Sequence, residues 1–186
     1  MSRFSGFPAH IEHHVGRVRG ADSRDATGPD GTRDRGYHLV HCDHHDGSHV
    51  SMLTSGLRDH LAGAPLPQEL VCTAHADQAL HARHLVAVVA ELLVGSRSRI
   101  GYGALVVNDR TLLPDTEIAG ALAGPHPYLA DTFDIVPYAG EPALQLITLI
   151  PVTRPESQLV ARAGSDALYD QWEHHDVDLT DLYRRS

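Results

Sequence analysis

Leu144-Gln145-Leu146-Ile147-Thr148-Leu149-Ile150 runs without a break into Pro151-Val152-Thr153-Arg154-Pro155-Glu156. The first seven residues are an apolar run of strand length. Thr153 and Glu156 stand at capping-box spacing: the hydroxyl can take the amide of Glu156, and the carboxylate can reach back to the amide of Thr153. Pro155 falls in the first helical turn, where its missing N–H costs little. A buried strand therefore ends and a helix begins within a few residues, the signature of helices packed on a sheet.

Working outward, Thr132–Tyr138 reads as a partner strand joined through Ala139-Gly140-Glu141-Pro142, whose glycine and proline supply turn chemistry. Downstream, Gly164 separates two short helices, the second over Ser165–His174 with Leu168 and Trp172 at i and i+4. Upstream, the spacing predicts a principal helix over His81–Gly95, whose wide apolar stripe must lie against a sheet. Strands are expected at Tyr37–Asp43, Val50–Thr54, Glu69–Ala74 and Gly101–Asn108, and a short helix at Phe7–Val15. Arg17–Gly36 holds almost nothing apolar, so residues 17–36 are expected as a mobile polar loop. The whole, residues 1–186, suits one α/β (α+β) domain: a single mixed, mostly antiparallel sheet with helices on it.

Several of these segments carry a family resemblance, in order. They are His10-Ile11-Glu12-His13-His14-Val15-Gly16, Leu53-Thr54-Ser55-Gly56-Leu57, Gln68-Glu69-Leu70-Val71, the junction Ile147–Glu156, and Ala163-Gly164-Ser165-Asp166-Ala167-Leu168. Together they resemble the bacterial Suppressor of fused domain proteins, with a departure at Arg17–Gly36, which is longer and more polar. The resemblance implies a protein-binding module without catalysis. In animals such a domain sequesters zinc-finger transcription factors; in bacteria it implies an immunity protein that neutralises a cognate toxin. The matching residues are strand ends, turns and helix caps, so they report fold and not an interface.

Composition narrows the partners. The formal net charge is −9 with histidines neutral, and all fifteen strong cations are arginine. An acidic domain repels nucleic acid and anionic membrane and suits a basic protein such as a toxin domain. Fifteen histidines make the charge sensitive to pH. The two cysteines, Cys42 and Cys72, are expected as reduced, buried thiols. The first twenty residues lack an apolar signal segment, and the longest apolar run, Leu85–Val94, is short of a bilayer span of about 20 residues. A cytoplasmic protein is expected.

The sharpest chemical candidate is His41-Cys42-Asp43-His44-His45-Asp46-Gly47-Ser48-His49. With Asp46-Gly47 as a two-residue turn, His44 faces His49 and Cys42 faces Ser51, so Cys42, His44 and His49 project from one face. Two imidazoles and a thiolate suit zinc or copper, which gives the alternative reading: a metal-binding protein or metal-dependent hydrolase on this hairpin. A solvated turn in a histidine-rich chain is the plainer account. No nucleophile elbow surrounds Ser55, and Gly95–Gly101 lacks the P-loop lysine. The reading is therefore a non-enzyme with no cofactor. Its expected binding surface is Asp43, His44, His45 and His49 on the hairpin, Arg97 and Arg99 in the loop after the main helix, and the polar segment Asp22–Arg35.

Overall fold

The computed structural model describes residues 4–27, 31, 33–63 and 66–185. In chain order the elements are α1 (Phe7–His14), β1 (Gly16–Thr27), β2 (Arg33–His44), β3 (His49–Ser55), β4 (Gln68–His75), α2 (Ala79–Ser96), β5 (Leu105–Val107), β6 (Ile118–Gly124), β7 (Ile135–Tyr138), β8 (Glu141–Thr153), α3 (Arg154–Ala163) and α4 (Ser165–His175). The strands make one sheet in the order β1-β2-β3-β4-β8-β6-β5. β7 pairs with the first part of β8, on the edge that β6 occupies further along. Every neighbouring pair is antiparallel except β4 with β8. A parallel pair needs a long crossover, and α2 with the strands after it supplies one.

The alternation along β8 sorts the core into two faces. Ile147 and Leu149 pack in the cluster with Leu85, Val86 and Val89 of α2. Leu144 and Leu146 point the other way, into a cluster with Phe7 and Ile11 of α1, Leu53, Val71 and Phe133. Ile150 and Val152 continue that second face under Leu168 and Trp172 of α4. α2 is apolar and long enough to cross a bilayer by composition, yet its buried side, Ala82 through Val94, lies against β3 and β4.

Three expectations need correcting. Residues 17–36 are not a loop: their described part forms β1 and the start of β2, two twelve-residue strands in antiparallel register. β1 lies at the sheet edge and turns mostly charged side chains outward, with Ala26 2% exposed, so no apolar period announces it. Its bulges and charges also discourage a further strand from adding to that edge. The strand expected at Gly101–Asn108 shrinks to Leu105–Val107, and β6 was not anticipated because Ile-Ala-Gly-Ala-Leu-Ala-Gly is buried throughout and made largely of small residues.

Candidate functional site

The parallel pairing of β4 with β8 stops at Val71 and Thr148. Beyond it β4 runs on to His75 and β8 to Thr153 without bonding to each other. The segment after α4 enters this split. Its Thr180 carbonyl accepts from the His75 amide at 3.2 Å, and Arg184 donates to the Pro151 carbonyl. Over the split, on the face opposite α2, lies a cleft of about 520 Å³. Its walls are the β2–β3 hairpin (His44, Asp46, His49), the loop after β6 (His126, Tyr128, Leu129) and Asp176–Asp178, with Thr73 and Thr180 below. Three strands that elsewhere alternate apolar residues on this face place Ser51, Thr73 and Thr148 here, 0%, 7% and 3% exposed.

These polar groups form a chain whose first link has a fixed direction. His126 Nδ1 takes the backbone amides of Tyr128 at 3.2 Å and Leu129 at 3.1 Å. An amide can only donate, so Nδ1 is the bare nitrogen and Nε2 carries the proton. That proton goes to Thr73 Oγ1 at 2.9 Å. Thr73 Oγ1 in turn shares a hydrogen bond with Ser51 Oγ at 2.6 Å, and Ser51 Oγ shares one with His44 Nε2 at 2.8 Å. Burial lowers the His126 pKa to about 3, helped by the charge of His44 when it is protonated. Burial, then His49, lowers that of His44 as well. Both rings are neutral at physiological pH. Ser51 and His44 stand at nucleophile–base distance, but Ser51 is wholly buried and its hydroxyl is shared with Thr73, so a substrate atom has no approach to it.

The rim is anionic. Asp46 accepts from the Ser48 hydroxyl at 2.6 Å, the Ser48 amide at 3.0 Å and His49 at 3.2 Å, and the Ser48 bonds hold its carboxyl far below the usual range. Burial works to raise Asp178, yet the Thr180 hydroxyl and amide and His75, 2.8 Å away, outweigh it and the net shift is downward. Asp176 adds a third carboxylate, and among the described residues no arginine lines the cleft.

The structure gathers some of the expected residues and scatters others. Cys42 pairs with Ser51 and Asp43 with Val50, the register expected from the sequence. The loop is longer than the two-residue turn expected: His45–Ser48 form it, and Gly47, at φ +71, donates its amide to the His44 carbonyl. His44 and His49 reach the cleft with ring centres 5.8 Å apart, and His75 lies 5.4 Å beyond His49. Cys42 does not join them. It is fully buried in the α1 cluster, with its thiol pushed up to about 12 by burial, so the Cys42, His44, His49 metal set is not assembled. Among the described residues no three histidines, cysteines or acids come together as a metal-holding group. Asp43 instead pairs with Arg19 and His41 away from the cleft, and His45 is exposed at the hairpin tip.

Arg97 is exposed and closes α2 with φ +48. Arg99 is committed to the carbonyls of Ala62 and Leu66. Both lie at the far end of β4 from the hairpin, across a strand whose eight residues span roughly 23 Å. They do not share a patch with His44 and His49. Of the polar segment Asp22–Arg35, Asp22 is held by Arg83 of α2 at 2.9 Å, and residues 28–30 and 32 lie outside the described residues. The sequence reading missed Thr73, His126, Tyr128, Asp176 and Asp178. The available signal was Ser51, Thr73 and Thr148 interrupting three apolar strands.

Two buried carboxylates explain the motifs. Glu69 is 0% exposed and accepts from the Thr54 hydroxyl (2.6 Å), the amides of Gly56 (2.8 Å) and Leu57 (3.2 Å), and Arg58. It thereby ties the Thr54–Leu57 turn, with Gly56 at φ +100, to β4. Glu156 makes the expected capping box with Thr153, and its carboxylate also takes Trp172 Nε1 at 2.7 Å and Arg184 at 3.1 Å. One side chain thus joins β8, α3, α4 and the closing segment. The sequence model of the Suppressor of fused protein family matches residues 33–185. The chain belongs to the Suppressor of fused family. A Suppressor of fused homolog from Neisseria gonorrhoeae superposes with a TM-score of 0.67 at 15% identity, over 99% of this chain and 93% of that one. The Sufu–Fu complex gives 0.63 at 9% identity, over 98% and 91%. Drosophila Suppressor of Fused gives 0.55 at 12% identity, over 74% of this chain and 38% of its own. These likenesses are to the Suppressor of fused fold. No curated protein sequence matches the chain.

Proposed function

We propose that this Suppressor of fused domain is a non-catalytic module that captures a protein partner, and that in its cell it acts as an immunity protein in the cytoplasm against a basic toxin domain. The observation that carries the reading is family membership across residues 33–185, joined to a fold whose relative is solved as a Sufu–Fu complex. The chemistry supports it. The cleft's histidines His126 and His44 are held neutral by burial, Ser51 is sealed, and both cysteines are buried with thiols pushed up to about 12. The net charge of −9 favours encounter with a basic partner. Of the surface anticipated from sequence, the hairpin end with His44, His45 and His49 remains the binding candidate, and the Arg97–Arg99 loop becomes a separate one.

The test is affinity capture with the tagged chain from its native cell. One basic protein retained at equal stoichiometry, whose activity the purified chain suppresses, is expected. Substrate turnover by the chain itself, abolished by trimming one polar side chain without unfolding, would overturn the reading.

A further inference from the structure

We propose that the cleft between the β2–β3 hairpin, the loop after β6 and the segment after α4 is the seat of one arginine side chain presented by the partner protein. The inference rests on the protein-capture reading and adds the group that is recognised. Three observations converge. The cleft, about 520 Å³, falls in the range of about 300–1,000 Å³ typical of formed sites. Asp46, Asp176 and Asp178 rim it, His44 and His126 contribute no charge at neutral pH, and among the described residues no strong cation lines it.

The third observation lies beneath. A throat of about 10 Å³ shares Thr73, His126, Tyr128 and Thr180 with the cleft, and Thr148 lines it. Thr148 is 3% exposed and its Oγ1 has no hydrogen-bond partner. A buried hydroxyl left unpaired is costly, so a polar group from outside gains by reaching it. The throat holds about one water-sized group, so a guanidinium N–H reaches Thr148 directly or through a single water.

Arginine fits better than lysine. Its planar fork bonds carboxylates at two points, and its weakly hydrated face stacks on aromatic rings. Tyr128 offers such a ring at the mouth, 55% exposed and held by the Leu179 amide at 2.9 Å. Asp178 is partly spent on His75, and Asp46 on Ser48, so Asp176 is the rim carboxylate with most to give. It ends α4 at φ +48, a conformation asparagine also accepts, so Asp176→Asn removes charge with little strain.

The probe is acetyl-Gly-Arg-Gly-amide, titrated into the ¹⁵N-labelled chain at pH 7.5, with the citrulline peptide as its neutral counterpart. Shifts are expected at the amides of Ser48, Tyr128, Leu129, Val177 and Thr180. Asp176→Asn should weaken binding about fivefold, the size of one partly exposed ion pair. Citrulline binding as well as arginine would overturn the proposal, and so would shifts scattered over the surface. Free agmatine binding as tightly as the peptide would overturn the partner assignment and leave a small-amine site. If a captured native partner binds Asp176→Lys as tightly as wild type, this inference fails and the capture reading stands. If the peptide behaves as expected but no partner is captured, the cleft stands as an arginine site while the capture reading, and with it the partner's part in the inference, fails.

Discussion

His126 offers a sharp test of the buried polar chain. In the unfolded chain its imidazole titrates near 6.5; in the folded protein burial lowers the pKa to about 3. Between those values the unfolded state binds a proton that the folded state refuses, so folding stability falls as the pH falls. The contribution is fully present above 6.5 and drains away toward 3. From pH 7 to pH 4.5 the difference amounts to about 2.5 kcal/mol for this one ring, at about 1.4 kcal/mol per unit of displaced titration. The half-buried histidines His10, His14 and His44 are shifted in the same direction and add to the slope. The comparison that isolates His126 is therefore with His126→Asn, whose carbonyl can accept the Tyr128 and Leu129 amides without titrating. Urea unfolding of both proteins at pH 7, 6, 5 and 4.5 should show the wild type losing about 2.5 kcal/mol more than the variant across the series. Parallel losses would refute the argument, because they would mean the ring is protonated in the native cleft.

Three further outcomes follow from the packing. Glu69→Ala strands Arg58 and three other donors beneath the sheet and should cost about 3–5 kcal/mol in urea unfolding, with a loss under about 1 kcal/mol counting against the cradle. Gly120→Ala places a Cβ 2.1 Å from the Val106 carbonyl, so β5 must peel from β6; hydrogen exchange should quicken at Val107 and Leu105 and stay slow in β4. Cys42 and Cys72, both buried with thiols near pKa 12, should resist a thiol-specific reagent at pH 8 and release two equivalents only on unfolding, so rapid native labelling would contradict their placement.

How far the molecule could be read in advance depended on where each residue's partner sits. The strand–helix junction at Thr153–Glu156 is local: donor and acceptor are three residues apart, and the capping box forms as its spacing implied. The hairpin register at Cys42–Ser51 is local in the same sense. β1 failed because an edge strand satisfies its backbone on one side and leaves its side chains in water, so nothing forces an apolar rhythm on it. β6 failed for the opposite reason, being buried on both faces. The cleft was illegible because its walls come from residues 44–49, 126–129 and 176–180, brought together only by the sheet order. Cys42 illustrates the limit of face-counting: it lies on the predicted side of the strand, but α1 covers that side.

The stitching of residues 176–184 across the split sheet carries a consequence for biosynthesis. His75 meets Asp178, and Gln78 meets Asp181 and Leu182, over sequence separations of 103 and 104. Contacts that distant close slowly and late. A ribosome-bound chain that has emerged only through α4 already holds the material for α2 on its strands, yet the gap between β4 and β8 is still unsealed. Until the segment up to Arg184 has been threaded, the cleft lacks part of its wall, so its completion belongs among the last events of folding.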